Sequence, residues 1–426
     1  MRSKKANILY GIDWILVLFY LVLIFLGWIN IYSATVTETE LELINFTTEY
    51  GKQLVWIGLS FPLIFIILLF EAKFYEKYAS IIYIISLISL VGLFAFGKNI
   101  NGATSWYDIG GVSSIQPSEF VKAAVALALS KLVSDKLFNL KKFNTQIQAL
   151  LILFFPAFLI TLQPDPGSAL VYTAFIFVLH REGLPFYFIT IGFIALILFI
   201  TTLYFGFINT LAGSLVLFLL IILYFNFYRK KAFKRGWLKI IGIYLVAAFF
   251  IFSVDFVFNH VFEQRHRDRF NILLGKTTDI KSIGYNTNQS VTTIASGGLT
   301  GKGFLEGERT QGDFVPEQQT DYIFTTVGEE WGFLGSSLVV ILFVFFLLRI
   351  IHVAERQKTK FSRVYGYSIA AIFFTHFTIN IGMVLGILPT IGIPLPFFSY
   401  GGSALWGFTV LLFIFIRLDA NRSYEW

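Results

Sequence analysis

The chain of 426 residues contains no cysteine and few charged residues, and each shortage excludes a class of protein. Without cysteine there is no disulfide, no iron–sulfur cluster and no thiol nucleophile. Charged residues make up only 14% of the chain, against roughly 25% in an average soluble domain. No polar stretch is long enough to bury a core of its own, which excludes a separate soluble domain. The five histidines are dispersed along the chain, which argues against a histidine-based metal site.

Apolar residues fill the chain instead. Hydrophobic residues account for 56% of it, and its mean hydropathy is +0.72. A helix that crosses a bilayer needs roughly 17–25 apolar residues. Runs of about this length predict twelve spans, at residues 12–34, 54–71, 77–97, 117–134, 146–163, 167–181, 184–206, 208–228, 237–261, 321–351, 363–388 and 401–417. We therefore predict an all-α polytopic membrane protein in which residues 1–426 form a single integral membrane domain, a helical bundle.

The basic residues predict the orientation of these spans. If Met1–Lys5 lies in the cytoplasm, most lysines and arginines fall in cytoplasmic connections, as the positive-inside rule requires. There they can meet anionic lipid headgroups. They are scattered over short loops, which argues against a nucleic-acid partner. We expect these connections to do no more than set the topology, and the first span to be a signal anchor.

One long polar segment, residues 262–320, interrupts the apolar runs and is predicted to face outward. A loop of this length is uncommon in a compact domain and is usually functional. Three other outward connections are rich in glycine and proline, at residues 97–117, 163–167 and 389–402. We expect these four segments to form one outer face that carries the chemistry.

Charged residues near apolar spans are costly and are therefore candidates for function. Glu119 and Lys122 lie three residues apart in the first turn of a predicted helix. They can simply neutralise each other, or Lys122 can meet an anionic, lipid-linked substrate just below the outward surface. Asp165 lies between two prolines, where it is either a turn former or a functional carboxylate.

The span predicted at residues 321–351 begins with three acidic residues, Asp321, Glu329 and Glu330. As one helix it would be longer than the hydrocarbon core, so its acidic beginning is expected to project outward. These residues are either a solvated helix end or part of the site.

Two further candidates lie in outward connections. Asp279 is flanked by Lys276 and Lys281, which would keep it ionised; this suits a general base and equally a surface turn. Ser399 follows a Pro-Leu-Pro sequence and precedes two glycines. It has no ionisable partner that would make it a nucleophile, so this part is either a substrate-lining segment or a helix connector.

Six motifs occur in an order that resembles the SEDS family (shape, elongation, division and sporulation), whose members are RodA and FtsW. They are Gly102-Ala103 with Trp106 and Gln116-Pro117-Ser118-Glu119; Gln163-Pro164-Asp165 with Gly167; Gln289-Ser290 with Ser296-Gly297-Gly298-Leu299 and Gly301-Lys302-Gly303; Pro316-Glu317 with Thr320-Asp321-Tyr322-Ile323-Phe324; Gly328-Glu329-Glu330 with Gly332; and Gly392-Ile393-Pro394-Leu395-Pro396 with Ser399-Tyr400-Gly401-Gly402-Ser403. The resemblance runs from Ile31-Tyr32-Ser33-Ala34 to the last helix. Together with Gly392-Ile393-Pro394-Leu395-Pro396, the segment Asn380-Ile381-Gly382-Met383 resembles RodA more than FtsW.

The resemblance implies a function. Family members are peptidoglycan glycosyltransferases that polymerise lipid II at the outer face of the bacterial cytoplasmic membrane. They act with a class B penicillin-binding transpeptidase and, in elongation, with other membrane proteins. The family's essential aspartate precedes a Gly-Tyr-Asn/His segment, and Gly284-Tyr285-Asn286 places that role on Asp279. Here Ile280-Lys281-Ser282 replaces the family's usual Pro-Leu-Gly after it. The match also implies roles for Glu119 and Lys122 near the catalytic aspartate.

Family members typically have ten spans, so the resemblance makes residues 184–228 an inserted helix pair. An inserted pair preserves the topology of the remaining ten.

These observations lead to one hypothesis of mechanism and two alternatives. Asp279 would be the general base, and Lys122, Lys302 and Arg267 would stabilise the charge of a departing pyrophosphate. A divalent cation, Mg²⁺ or Mn²⁺, can serve the same purpose. The first alternative is a flippase for a lipid-linked precursor, although the candidates lie at helix ends and no repeat is visible. The second is a non-catalytic scaffold for the transpeptidase.

Overall fold

The computed structural model describes residues 11–36, 45–100, 102–110, 113–228, 230–262, 264–276 and 285–422. Nearly all of its secondary structure is helical. The α-helices are α1 (Trp14–Thr35), α2 (Glu49–Leu69), α3 (Ala72–Phe96), α4 (Pro117–Ser134), α5 (Phe143–Thr161), α6 (Pro166–Leu170), α7 (Phe175–Arg181), α8 (Tyr187–Phe205), α9 (Phe207–Tyr228), α10 (Lys230–Phe256), α11 (Gln264–Leu273), α12 (Tyr285–Ser296), α13 (Glu308–Gln311), α14 (Phe324–Glu330), α15 (Gly332–Glu355), α16 (Lys360–Val384) and α17 (Gly402–Asn421). A 3₁₀ turn, Val171–Ala174, joins α6 to α7, and a π-helical turn, Val257–Val261, follows α10.

Ten helices of the described ranges are long and apolar enough to cross a membrane, which confirms the predicted polytopic α-helical class. They are α1, α2, α3, α5, α8, α9, α10, α15, α16 and α17. Two predicted spans, at residues 117–134 and 167–181, are not among these ten helices, and each has a physical reason. The helix α4 carries Glu119, Lys122 and Lys131, and residues 167–181 are divided among α6, the 3₁₀ turn and α7.

The chain divides into two compact units, Met1–Pro185 with Asn286–Trp426, and Phe186–Tyr285. In the first unit α4 is the central helix, because it contacts α3, α5, α16 and α17. Fourteen of its eighteen residues are buried, many of them alanine or serine. In a bilayer no hydrophobic effect drives helices together, so their association relies on close van der Waals packing. Small side chains permit this close approach. A helix of modest hydropathy thus occupies the middle of the bundle.

The second unit consists mainly of α8, α9 and α10, which pack on one another. Gly206 joins α8 to α9 with φ +84°, a conformation that glycine adopts without strain. These two helices occupy the predicted pair at residues 184–228. That this pair is an insertion in the family stays a prediction.

A small antiparallel sheet lies between α3 and α4, and the sequence did not predict it. Its strands are β1 (Lys98–Ile100), β2 (Ala103–Ile109) and β3 (Ser113–Ile115), in the order β1-β2-β3. Tyr107 pairs with Ile115, and its hydroxyl donates a hydrogen bond to the Ser89 carbonyl on α3 (2.8 Å). The sheet thus covers the end of the first unit at which α3 finishes.

The prediction of one long helix over residues 321–351 is wrong. The chain forms α14 and α15 with a break at Trp331 and Gly332, where Gly332 has φ +64°. A Cβ at Gly332 would lie 2.2 Å from the Gly301 nitrogen, so only glycine fits this break. The expectation of a solvated acidic beginning is also wrong for Glu329 and Glu330, which are 0% and 2% exposed. The break turns both carboxylates inward.

The expectation that basic connections do no more than set the topology is wrong as well. Arg356, at the end of α15, donates to Asp419 (2.5 Å) on α17 and to Asp13 (2.8 Å), the cap of α1. Arg349 donates to Asp13 at 2.6 Å. Both aspartates are buried. Burial favours the neutral acid, but the hydrogen bonds from Arg349 and the Leu16 amide and the charges of Arg349 and Arg356 together outweigh it and lower the pKa of Asp13. These arginines therefore tie three helices of the first unit together.

Candidate functional site

The candidate residues other than Arg267 and Asp279 lie at one end of the first unit, where α1 and α3 finish and α2, α4, α15 and α17 begin. We call it the polar end. Its connections are the sheet, the turn at residues 163–166, the segment 297–323 and the loop at residues 385–401. Side chains from each of these connections meet there.

The first cluster surrounds Lys122 on α4. Its Nζ donates to Glu119 Oε2 (2.8 Å) and to Nε2 of His376 on α16 (3.0 Å). It lies 5.0 Å from the ring centre of Phe408 on α17. Lys122 is 0% exposed and Glu119 is 2% exposed. The predicted pairing of Glu119 with Lys122 therefore forms, and contact of Lys122 with a substrate would require this pairing to rearrange.

His376 was missed by the sequence analysis, which considered histidines only as metal ligands. It is 1% exposed, and its Nδ1 lies 3.1 Å from the Pro394 carbonyl oxygen. A polar side chain inside a membrane span is itself a signal of function. Applied to His376 and Asn380, which lie one turn apart on α16, this rule would have identified both residues.

The second cluster surrounds Glu329, whose carboxylate accepts five hydrogen bonds. Oε1 accepts from Ser296 Oγ (3.2 Å), Lys302 Nζ (2.9 Å) and the Arg309 amide (3.1 Å). Oε2 accepts from the Thr310 amide (2.7 Å) and hydroxyl (2.8 Å). Burial alone would raise the pKa of Glu329, but Lys302 and the Thr310 donors outweigh it and lower the pKa. Glu329 thus anchors the segment that carries Lys302.

A close backbone approach makes this anchoring possible. The Lys302 amide donates to the Glu329 carbonyl, and the Gly303 amide to that of Glu330, both at 3.0 Å. At Gly301, whose φ is +84°, a Cβ would lie 2.1 Å from the Glu330 carbonyl oxygen. The glycine-rich motif therefore exists because two backbone segments touch there. Lys302 stays 25% exposed at its side chain, so of the predicted phosphate-binding lysines it is the accessible one.

Glu330 differs from its neighbour in electrostatics. It accepts a hydrogen bond from Ser33 on α1, but its Oε2 is buried with no hydrogen-bond partner among the described residues. Burial raises the pKa of Glu330 to about 7, against the lowering effect of Ser33 and the Leu305 amide. Glu330 is therefore a carboxyl group that titrates near neutral pH.

Asp165 and Ser399 hold the polar end together. Asp165 caps α6 by accepting from the Ser168 amide (3.1 Å), and its second oxygen accepts from Gln116 Nε2 (3.1 Å). Ser399 is 4% exposed, and its Oγ accepts from the Leu395 amide (2.9 Å). In this arrangement both side chains fix turns, and substrate-binding roles for them stay predictions.

Asp321 lies beside the loop that carries Ser399. Its carbonyl accepts from Asn380 Nδ2 (2.8 Å), which also donates to the Ile393 carbonyl (2.7 Å). Next to it, the Tyr322 hydroxyl is 2.9 Å from the Thr390 hydroxyl. The structure thus places Asp321 at the polar end, where the Asn380 amide holds its backbone against the loop at residues 385–401.

Two predicted residues are not among the described residues of the first unit. Arg267 belongs to the second unit, where it donates to the Asn259 carbonyl (2.9 Å) and to Gln264 (2.8 Å). Asp279 lies outside the described residues, in the gap between Lys276 and Tyr285. Its proposed role as general base is therefore untested by the structure.

An apolar cavity of about 250 Å³ opens among α2, α3, α4 and α17 of the first unit. Its lining includes Phe70, Phe74, Phe120, Leu127 and Ile414. Phe120 directly follows Glu119 on α4. The cavity therefore adjoins the helix that carries the Lys122 cluster, and its lining is suited to hydrocarbon.

The family model described as "Cell cycle protein", which covers FtsW, RodA and SpoVE, matches residues 13–231 and 211–424. The chain is 34% identical over 334 residues to peptidoglycan glycosyltransferase MrdB of Escherichia coli K12, covering 78% of this chain and 75% of that protein. It is 29% identical over 437 residues to peptidoglycan glycosyltransferase RodA of Treponema pallidum, covering 96% and 98%.

Two solved structures share the fold. A chain of a peptidoglycan synthase complex, solved to show how polymerization and crosslinking are coordinated, matches with a TM-score of 0.71 and 24% identity, over 97% of this chain and 99% of that chain. Rod shape determining protein RodA of Thermus thermophilus matches with a TM-score of 0.62 and 22% identity, over 97% and 98%. Together with the family match, these likenesses confirm the resemblance that the motifs predicted: the chain belongs to the FtsW/RodA/SpoVE family, the SEDS family of polytopic membrane proteins.

Proposed function

We propose that this chain is a peptidoglycan glycosyltransferase that polymerises lipid II into β-1,4-linked glycan strands for cell elongation. The observation that carries the proposal is its likeness along most of its length to relatives named peptidoglycan glycosyltransferases, 34% identical in the case of MrdB. The polar end is compatible with it, since Lys302 is partly exposed there beside the buried carboxylates of Glu329 and Glu330.

In the proposed reaction Asp279 removes the proton from the C4 hydroxyl of one lipid-linked disaccharide. The resulting oxygen attacks the anomeric carbon of the growing chain. The bond from that carbon to the pyrophosphate oxygen breaks, and undecaprenyl pyrophosphate leaves with its electron pair. Pyrophosphate is a good leaving group, so the general acid that inverting glycosidases require is not needed. One new glycosidic bond forms, with inversion to the β configuration.

The structure supports different roles for the two lysines. Lys302 is partly exposed and is held by Glu329, so its ammonium can approach a phosphate without reorganising the segment. Lys122 is enclosed by Glu119, His376 and Phe408, so its proposed role in this arrangement is to fix the start of α4 near the substrate. The apolar cavity beside α4 is suited to part of the undecaprenyl chain.

The cation, the partners and the orientation belong to the same proposal. Within the described ranges no three carboxylate or histidine side chains are grouped to hold a metal ion, so the described residues do not fit a protein-held cation. In this proposal Mg²⁺ or Mn²⁺ would be held jointly by Asp279 and the pyrophosphate oxygens, which are suitable hard ligands. The partner is a class B penicillin-binding transpeptidase, as the structural neighbour from a complex of polymerization and crosslinking suggests. The polar end faces outward from the bacterial cytoplasmic membrane, with the N-terminus in the cytoplasm.

The test is a gel assay for glycan strands, with purified protein and labelled lipid II, in the presence and absence of the transpeptidase. Asp279→Asn keeps the side-chain shape and removes the base, so strand formation should fall by a factor of roughly 100 or more. Asp313→Asn is the matched control, because Asp313 is exposed in the same polar segment and has φ +51°, which asparagine also tolerates. Polymer at the wild-type rate from Asp279→Asn would exclude the assignment of the base.

The same preparation decides between the alternatives. A flippase would move fluorescent lipid II across vesicle membranes and form no polymer. A scaffold would leave polymerisation unchanged when residues of the polar end are substituted. Polymer made by the purified chain, and lost in Asp279→Asn, would exclude both.

A further inference from the structure

The helix α16 carries a short polar face at the polar end, and the proposed mechanism does not use it directly. His376 and Asn380 lie one turn apart there and are 1% and 0% exposed. His376 joins Lys122 to the Pro394 carbonyl. Asn380 joins the carbonyls of Ile393 and Asp321. Two neighbouring side chains therefore hold α4, the segment before α14 and the loop around Pro394 in one arrangement.

The contacts of His376 determine its protonation. An ammonium group only donates hydrogen bonds, so Nε2, which lies 3.0 Å from Lys122 Nζ, must be the acceptor. A carbonyl only accepts, so Nδ1, which lies 3.1 Å from the Pro394 oxygen, must carry the proton. His376 is therefore a neutral imidazole in the Nδ1–H tautomer. An imidazolium would place a second positive charge against Lys122 in a site closed to water.

The charges of the cluster balance on this assignment. Glu119 contributes one negative charge, Lys122 one positive charge and His376 none. Lys122 donates to the carboxylate and to the imidazole, and the Phe408 ring lies on a further side at 5.0 Å. A buried ion pair of this kind is weak evidence for stability, since apolar residues of similar volume often stabilise a core more. What the cluster does provide is a fixed geometry for Lys122.

We propose that His376 is a positioning residue of the transferase. Its imidazole holds the Lys122 ammonium against Glu119 and links it to the Pro394 carbonyl. The start of α4 and the loop at residues 392–396 therefore keep one relative position. The expected effect on the reaction rate rests on the proposed function, whereas the expected tautomer and contacts of His376 do not. Removing the imidazole leaves Lys122 with an unused buried donor and Pro394 with an unused acceptor. The loop at residues 392–396 is then no longer held in a fixed position relative to α4. A displacement of about 1 Å at a reacting centre costs on the order of 100-fold in rate.

The first experiment measures the tautomer. Wild-type protein with ¹⁵N-labelled histidine is examined by NMR, and the His376 signals are assigned as those absent from His376→Asn. The expected pattern is that of a neutral ring with a protonated Nδ1. An Nε2–H tautomer or an imidazolium pattern for His376 would overturn the proposal. His352 on α15 is exposed, so its substitution by asparagine should remove a different set of signals and leave those of His376 in place.

The second experiment compares His376→Gln with His376→Leu in the lipid II assay. Glutamine can present a carbonyl oxygen to Lys122, whereas leucine fills similar space without an acceptor. His376→Leu should lower kcat by about 10- to 100-fold with KM nearly unchanged, because the residue does not touch the substrate. His376→Gln should recover most of that loss, and His352→Leu should behave as the wild type. Equal rates for His376→Gln and His376→Leu, or an effect confined to KM, would contradict the positioning role.

The outcomes separate this inference from the proposed function. If the wild-type chain forms no glycan, the proposed function fails, and the NMR measurement still decides the geometry around His376. If the wild type polymerises lipid II but shows the wrong tautomer, only the positioning role fails. If His376→Leu does not fold, two results decide the outcome. One is the tautomer in the wild-type spectrum, and the other is the polymerisation rate of His376→Gln compared with that of the control His352→Gln.

Discussion

Replacing Glu329 with glutamine should destabilise the first unit far more than the same replacement at Glu308. Both carboxylates contact Lys302, at 2.9 Å for Glu329 and 3.4 Å for Glu308. Their side chains are 0% and 86% exposed respectively. The pair therefore compares the same chemical change on the same lysine partner at opposite extremes of burial.

The magnitude follows from the contacts of Glu329. Its oxygens receive five donors, two of them the backbone amides of Arg309 and Thr310. An amide NH₂ in place of either oxygen would face at least two of these donors, and Lys302 would lose its buried counter-charge. Breaking a fully buried pair from one side costs roughly 3–5 kcal/mol, and because Lys302 is 25% exposed at its side chain we expect the lower end of this range, about 3 kcal/mol. Loss of the exposed contact at Glu308 costs about 0–1 kcal/mol.

Two measurements check this expectation. Thermal unfolding in detergent should show a much larger fall of the midpoint for Glu329→Gln than for Glu308→Gln. Hydrogen exchange should accelerate at the amides of Arg309 and Thr310 by about 100-fold or more in Glu329→Gln only, because roughly 3 kcal/mol of local protection is lost. Similar midpoints and similar exchange in the two variants would refute the reasoning that burial decides the value of this contact.

The pH dependence gives a third check with a definite sign. The folded state lowers the pKa of Glu329 below its ordinary value of 4.5, so it binds fewer protons than the unfolded chain. The stabilisation is therefore present above pH 4.5 and is lost as the pH falls through the lowered pKa. The difference between wild type and Glu329→Gln should be full at pH 7 and should shrink as the pH falls below 4.5. A difference that does not change with pH would contradict the assignment of an ionised Glu329.

Three further predictions concern other residues. Gly301→Ala should destabilise the protein by more than about 3 kcal/mol, since its Cβ would meet the Glu330 carbonyl, whereas Gly110→Ala, at φ +63° in open space, should cost about 1 kcal/mol; thermal midpoints compare the two. Relative to the wild type, Glu330→Gln should become more stable by on the order of 3 kcal/mol as the pH rises from 5 to 8, because the wild-type carboxyl loses its proton near pH 7 in the folded state but near pH 4.5 in the unfolded chain. A stability difference that does not change with pH would contradict this. Arg356→Lys should lower stability by about 2 kcal/mol, because lysine cannot bridge both aspartates as the guanidinium does; a double-mutant cycle with Asp419→Asn measures the coupling.

The sequence predicted residue pairs only where the partners are close along the chain. The Glu119–Lys122 pair was predicted because residues three apart meet on a helix. The partner that completes it, His376, lies 254 positions from Lys122 and could not be placed by spacing. The acidic residues before α15 were misjudged for a related reason. Their burial depends on the break at Gly332, and that break depends on a contact with the segment around Gly301.

The sequence by itself determined the membrane class, most of the spans, the candidate residues and the family. Hydropathy and motif order are properties of short stretches, and the bilayer acts on each span separately. Only the tertiary structure decided which polar groups meet: that Lys122 is sealed by a histidine, that Glu329 holds a distant glycine-rich segment, and that two arginines tie three helices to one another. These meetings depend on how helices from remote parts of the chain pack, because a buried charge is stable only where the packing supplies its partners.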